Sequence, residues 1–376
     1  MTHTRGTLAI VYIKRGPHVG FFICYYLNMV RIMSGKTIMW EEGAAVLVAC
    51  CFDLLGEPPA TLHPVVWYGK LIERLVEDAP QGKLAQLLYG VGMVMGAVPT
   101  AFLPAWTVHR LAKGIRSTLL QHGHPAYAFL LYALIEGVCL KPFFALRMLV
   151  DAGRSVRLAL EHDDLPQARM ALRNLVSRER SRLSAEQVGA AAIESLAENL
   201  SDSVVAPLFY FTLFGLPGAA IYRLVNTFDA MIGYHGRYEY LGKAAARLDD
   251  LLNVVPSRLT ALLILWLAPL FGGSRQGGWH VWRRDARKTA SPNAGHPMAA
   301  AAGTLQVQLT KIGHYTLGDP GRVVTTERVR QAEAMTWWVG GCTLILAAVL
   351  KILVGAYSGS IDGQRWANRA WCTRLR

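Results

Sequence analysis

The chain predicts an all-α polytopic membrane protein, with about four to six transmembrane helices and helical loops that carry its motifs. Two observations predict it. Of its 376 residues, 52% are hydrophobic and only 17% charged, against roughly 25% charged in soluble domains. The apolar residues also gather into uncharged stretches that approach the roughly 20 residues needed to cross a bilayer. A net charge of +13 fits this class, because basic residues in cytoplasmic loops orient membrane proteins and attract anionic ligands. No basic-aromatic cluster or known module points to nucleic acid.

Taken in order, residues 1–38 read as an N-terminal extension, with Met33 and Met39 as alternative starts. Lys14 and Arg15 precede a modest apolar stretch there, but no small-residue cleavage site follows. Residues 39–357 form the membrane domain. Its first apolar segment, Gly43–Phe52, is extended by Trp40, Leu54 and Leu55. Leu84–His109 is the longest, and Ser117–Ile135, Ser203–Tyr222, Leu259–Ser274 and Ala334–Leu350 follow. Residues 358–376 are a polar, basic, unpatterned tail.

Two segments break the pattern of plain spans. Ser203–Tyr222 contains Gly-Leu-Pro-Gly at 215–218, which interrupts a helix. Leu259–Ser274 has only about 13 strongly apolar residues before Gly272, short for a bilayer. The polar loops 53–75, 184–202, 223–258 and 285–320 hold nearly all the candidate chemistry. Counting alternate crossings, they reach one aqueous face if neither broken segment spans. Four true spans and two re-entrant or internally packed segments are therefore expected, and such segments are tolerated where they line a protein cavity.

The loops themselves look helical. Ser184 with Gln187 three residues on forms a capping pattern. A helix begun there places Glu194, Glu198 and Asp202 on one face, each four residues after the last.

Familiar nucleotide motifs fail. Ser-Gly-Lys-Thr at 34–37 lacks the glycine that a phosphate-binding loop requires at position 30, which is Val. Gly92 and Gly96 are spaced for close helix packing. RLDDLLN lacks the glycine of lipid-headgroup transferases. The six cysteines, at 24, 50, 51, 139, 342 and 372, have no metal-ligand spacing and read as inert.

What remains is carboxylates and amides around an apolar frame. Glu194, Glu198, Asn199, Asp202, Asn226, Asp229, Asp249 and Asp250 suit magnesium, which prefers oxygen ligands and often bridges to phosphates. Any one of them reads equally well as a helix cap or surface charge. Clustered beside apolar segments, where charge is costly, they favour a function. Glu136 and Lys141, near the third segment, read as a pair or as snorkelling charges. His63 is a candidate base or phosphate ligand, or a structural turn residue before Pro64. Asn293, in SPNAGHP, sits in a tight loop whose amides could cradle an anion. Arg237, Arg247, Arg258 and Lys288 are candidate phosphate partners, or simply positive-inside charge.

Four stretches, AAIESLAENLSDSVVAPLFY, YRLVNTFDAMIGY, RYEYLGKAAARLDDLLNVVPSRLTAL and SPNAGHPMAAAAG, together with DLLGEPP and HPVVWYGKLI near the start, carry a resemblance. In this order they are similar to the adenosylcobinamide-phosphate synthases of cobalamin biosynthesis, over about residues 40–350. Glu57 stands where that family often has Asp, and VSRERSRL (176–183) departs from a pattern nearer VGRDTSRL.

The resemblance implies a multi-pass enzyme of the cell inner membrane with its active site on the cytoplasmic side. Its substrates would be adenosylcobyric acid and aminopropanol phosphate, or aminopropanol itself, joined through an amide bond with ATP and Mg²⁺. The route would pass through an acyl phosphate. Glu198, Asp202, Asp229, Asp249 and Asp250 would supply metal ligands, with Asp202, Asp249 and Asp250 foremost. Glu194 would take the proton of the attacking ammonium, and Asn199, Asn226, Arg237, Arg247 and Asn293 would bind substrate or phosphate. Two rivals stand beside this: a non-catalytic regulator on the same scaffold, and a transporter with broken helices around an ion site. The transporter predicts a matching break in the other half, and the sequence has only the one at 215–218.

Overall fold

The computed structural model describes residues 40–176, 180–234 and 236–372, with side chains through 355. The expected extension over 1–38, with its Ser-Gly-Lys-Thr stretch, lies outside these residues, as do 177–179 of the departing VSRERSRL and the last four residues. The structure is built of helices α1 (40–55), α2 (Pro64–Glu77), α3 (Lys83–Gln121), α4 (Pro125–Leu140), α5 (Leu146–Glu161), α6 (Leu165–Ala171) and α7 (Ala185–Leu200), then α8 (Ala206–Ile232), α9 (Lys243–Leu252), α10 (Val254–Leu267), α11 (Arg275–Asp285), α12 (Gly295–Leu305) and α13 (Thr326–Cys372). One short antiparallel hairpin, β1 (Leu309–Lys311) with β2 (Tyr315–Leu317), interrupts them. The backbone of α13 stays helical to Cys372, past the point where the sequence reads as an unpatterned tail.

Among the described residues, five helical stretches are long and apolar enough to cross a membrane: Lys83–Gln121, Pro125–Glu161, Ala185–Ile232, Val254–Phe271 and Thr326–Gly355. They are not five straight rods. Within Pro125–Glu161 the backbone leaves helical geometry at Phe144 and Ala145, between α4 and α5. Within Ala185–Ile232 the chain doubles back. Gly215 has φ of 68°, a left-handed value that L side chains resist, and Pro217 follows. Across the turn the rings of Tyr210 and Tyr222 stack, with centroids 5.2 Å apart. At the base, Arg223 donates to Ser203 Oγ over 3.3 Å. Residues 203 and 223 therefore lie at one level, and the segment between them is a helical hairpin, as its Gly-Leu-Pro-Gly break predicts.

Leu259–Ser274 likewise leads to a return. It forms α10 and a closing 3₁₀ turn, and Gly272 then adopts a left-handed φ of 72°. The chain comes back through α11, which carries Arg275, His280, Arg283 and Arg284. Ser257 and Arg258 at the start of the excursion bond to Asn293 at its end. A helix as polar as α11 does not fit in hydrocarbon, and through it the chain returns to the level at which α10 begins.

Charged pairs tie the apolar frame together. Glu41 bonds to Arg116 between α1 and α3, His109 to Glu136 between α3 and α4 at 2.7 Å, and Lys351 to Glu42 between α13 and α1 at 3.1 Å. Lys141 does not pair with Glu136. Its buried ammonium contacts Asp53 at 3.0 Å and Glu57 at 2.7 Å. Asp53 also accepts from the Arg147 amide, and the Ala145 amide donates to the Ser203 carbonyl. These bonds, with the Arg223–Ser203 contact, bring the start of loop 53–75, the end of α7 and both ends of the hairpin to one end of the frame.

Candidate active site

The site begins with the capping box that starts α7. Ser184 Oγ accepts from the Gln187 amide, and the Gln187 side chain accepts from the Ser184 amide. With the register so set, Glu194 and Glu198 follow one turn apart. The helix then widens into a π-helical turn over Ser201–Val205, a distortion that recurs at functional sites. Asp202 stands in that turn.

The returning arm of the hairpin brings the next groups. Tyr222 donates to the Asp202 carbonyl over 3.3 Å and to Asn253 Oδ1 over 2.9 Å. Arg223 donates to Asn226 Oδ1 over 3.1 Å. Asn226 and Asn253 then donate to the two oxygens of Asp249, at 3.3 and 2.9 Å. Beside it, Asp250 accepts from Ser291 Oγ at 3.2 Å, and its carbonyl accepts from the Asn293 side chain at 2.6 Å. Asp229 arrives from the last turn of α8, next to the Gly233 cap. Burial pushes the Asp249 carboxyl up to about 6, and the neighbouring Asp250 charge adds to this against the two amide donors.

Glu198, Asp202, Asp229, Asp249 and Asp250 all line one cavity of about 560 Å³. Among the described residues no three acidic, histidine or cysteine side chains converge tightly enough to enclose a metal ion alone. The donor set still fits magnesium, since these five carboxylates and Glu239 surround one space. Mg²⁺ commonly takes one or two carboxylates and completes its shell with water and substrate phosphates.

The remaining candidates are spread around this cavity. Arg247 lines it, 3.7 Å from Asp250. Asn293 lines it too, with its side chain committed to the Asp250 carbonyl and to Arg258. Asn226 acts through Asp249. Glu194 is buried in α7 and is not among the lining residues. Asn199 donates to the Ser195 carbonyl of its own helix. Arg237 is exposed, over the Tyr238 ring. His63 belongs to a second cluster, 3.4 Å from Glu57, which Lys141 also contacts. Donation from His63 and Lys141 holds Glu57 below the usual carboxylate range in spite of its burial.

Several groups at the site have no sequence signal of their own. Arg223 and Asn253 sit inside quoted motifs but read as ordinary helix residues, and Ser291 reads as a turn residue. Lys243 lies in a quoted motif without being singled out, and Lys311 and His314 line the cavity with no motif to mark them. Two apolar cavities flank the hairpin tip. One of about 520 Å³ includes Trp106, Tyr210 and Tyr222, and one of about 600 Å³ includes Trp67, Leu216 and Lys141. Tyr222 thus stands in the wall between the first of these and the acidic cavity.

Fold and site together define a class: an all-helical, multi-pass membrane protein with a carboxylate-lined cavity at the polar end of its frame. The family described as CobD/Cbib protein matches residues 46–340, and the chain belongs to it. It is 44% identical over 307 residues to "Cobalamin biosynthesis protein CobD" of Dehalococcoides mccartyi, covering 81% of this chain and 95% of that protein. It is 40% identical to "Probable cobalamin biosynthesis protein CobD" of Methanothermobacter thermautotrophicus, with the same coverage. With "Cobalamin biosynthesis protein CobD" of Geobacter metallireducens the identity is 39%, over 84% of this chain and 99% of that protein. No solved structure matches.

Proposed function

We propose that this protein acts in cobalamin biosynthesis as an adenosylcobinamide-phosphate synthase. In this reading it joins (R)-1-amino-2-propanol O-phosphate, or the free amino alcohol, to the propionate carboxylate of adenosylcobyric acid. The observation that carries it is the convergence of six carboxylates on one cavity, beside two apolar cavities at the hairpin, one of them lined by Tyr222 and the other by Leu216. The names of the relatives and the motif order supply the pathway.

A carboxylate is a poor acyl donor. The corrinoid carboxylate oxygen therefore attacks the γ-phosphorus of ATP, releasing ADP and leaving an acyl phosphate. The amine then attacks the acyl carbon, the C–N bond forms, and inorganic phosphate leaves. Mg²⁺ would supply charge neutralisation for the phosphates in transfer, held by a subset of Asp202, Asp249 and Asp250 with Asp229 beside them. Asn226 and Asn253 keep the Asp249 carboxylate oriented. Glu198, which lines the cavity, takes the proton that the ammonium loses. The site would lie at the cytoplasmic face of the inner membrane, where ATP is available.

Purified protein in detergent, given adenosylcobyric acid, either amine, ATP and Mg²⁺, tests this by mass spectrometry. A product heavier by the amine minus water, formed only with ATP, supports the ligase. No product with either amine from folded protein overturns it and brings the regulator and transporter readings forward.

A further inference from the structure

The acidic cavity has a lip of the opposite sign. Lys243 opens α9 and Arg247 follows one turn later on the same face, and both line the cavity. Lys311 and His314 line it from the turn of the β1–β2 hairpin. Among the described residues Lys243, Lys311 and His314 have no carboxylate partner, and Lys311 has only the Tyr315 ring, 5.9 Å away.

The hairpin is anchored as a rigid support would be. Leu309 and Leu317, paired across it, are fully buried, as is Val307 just before. Tyr315 reaches Met298 of α12, and the Gly318 amide donates to buried Asp285 over 2.9 Å. β1 packs against α7, the helix that carries Glu198. Gly313, with φ of 77°, makes the tight turn between Lys311 and His314. A hairpin placed only to cap the fold would have no reason to aim its two basic side chains at a carboxylate-lined space.

Charge decides what such a space takes. An anion entering among six carboxylates alone would be repelled. A cation bound on the floor together with basic groups at the lip makes the space complementary to a phosphate, which shares oxygens between the two. The cavity volume of about 560 Å³ is that of a small-molecule site.

We propose that the β1–β2 hairpin is the phosphate-recognition element of this site, Lys311 and His314 acting with Lys243 and Arg247 to hold a substrate phosphate ester. The proposal rests on the synthase reading, which supplies two sources of that chemistry, the amino-alcohol phosphate and the nucleotide.

Binding is measured by calorimetry on the full chain in detergent with Mg²⁺. The probes are (R)-1-amino-2-propanol O-phosphate, free aminopropanol and a non-hydrolysable ATP analogue. The variants are Lys311→Gln and His314→Gln, with Ile312→Gln at the exposed tip as control. Lys311→Gln should weaken one phosphate ligand by about tenfold or more, the loss of a charge-assisted contact, and leave free aminopropanol and the Ile312→Gln control unchanged. Loss for the amine phosphate assigns the hairpin to the amine, and loss for the nucleotide analogue assigns it to ATP; either supports the proposal. If wild-type protein binds these phosphates and both hairpin variants bind them within twofold, the hairpin proposal is overturned and the synthase reading stands. If wild-type protein binds neither phosphate ligand, both fall.

Discussion

The Tyr222 hydroxyl donates to the side-chain oxygen of Asn253 over 2.9 Å, and the amide nitrogen of the same Asn253 donates to Asp249 over 2.9 Å. One buried asparagine thus couples the returning arm of the hairpin to an acidic group of the cavity. Replacing Asn253 by Ala leaves Tyr222 and Asp249 each short of a partner. The expected cost is about 1–3 kcal/mol, read as a lowered melting temperature in detergent, together with an activity loss. Tyr222→Phe keeps the stack on Tyr210 and should lose stability by only about 1 kcal/mol.

The acidic cavity predicts a graded response to charge removal. Asp202→Asn, Asp249→Asn and Asp250→Asn should each reduce turnover by roughly a hundredfold or more, as expected when a group that neutralises phosphate charge is lost. Membrane-inserted protein should remain at wild-type levels. Glu198→Gln should fall in the same class. Turnover assays beside quantitative blots check this, and near-normal turnover in all four would remove these residues from the site.

Asp249 titrates near 6, above the ordinary carboxyl value. A raised carboxyl stabilises the folded state most at low pH, below about 4, and that contribution is lost as pH rises through about 6. Cation binding has the opposite sign, because it needs the ionised form. The Mg²⁺ activation constant should be flat above pH 7 and rise by about tenfold per unit below 6, for each proton displaced. Asp249→Asn should flatten that slope.

Gly218 permits the hairpin to close. A β-carbon there would stand 2.5 Å from the Tyr210 carbonyl oxygen and 2.7 Å from Phe214. Gly218→Val should therefore splay the two arms and lower thermal stability, with activity falling because Asp202 and Arg223 sit at the two feet. Thermal melts and turnover of the same preparation measure both effects.

Asp285 is fully buried, and Arg284, Lys288 and the Gly318 amide hold its carboxyl down to about 2, against the cost of burial. A lowered carboxyl contributes stability above its unfolded value near 4, and that contribution is lost as pH falls toward 2. Asp285→Ala should destabilise by about 2–3 kcal/mol, the scale of a lost charged hydrogen bond, at any pH from 5 to 9. Phosphate affinity should fall with it if the hairpin it anchors recognises phosphate.

Much of the architecture follows from the sequence alone, because it depends on rules that act over a few residues. Uncharged length marks much of the frame, although Ser117–Ile135 is split by the turn at 122–124 between α3 and α4; Ser184 and Gln187 start α7, and Gly-Leu-Pro-Gly turns the chain back at 215–218. The acidic residues of one loop also announce themselves through helical spacing.

Only the tertiary structure decided who meets whom. Glu194, in step with Glu198 along the sequence, is buried in its helix, while Asp229 and Asp249, 20 or more residues apart from Asp202 in the chain, share its cavity. Lys141 finds Asp53 rather than Glu136, and Lys311 reaches the carboxylates from a hairpin more than a hundred residues after Asp202. Helical periodicity says which face a side chain takes. The partner on that face comes from another segment, set by how hairpin and helices pack, and no local pattern encodes it.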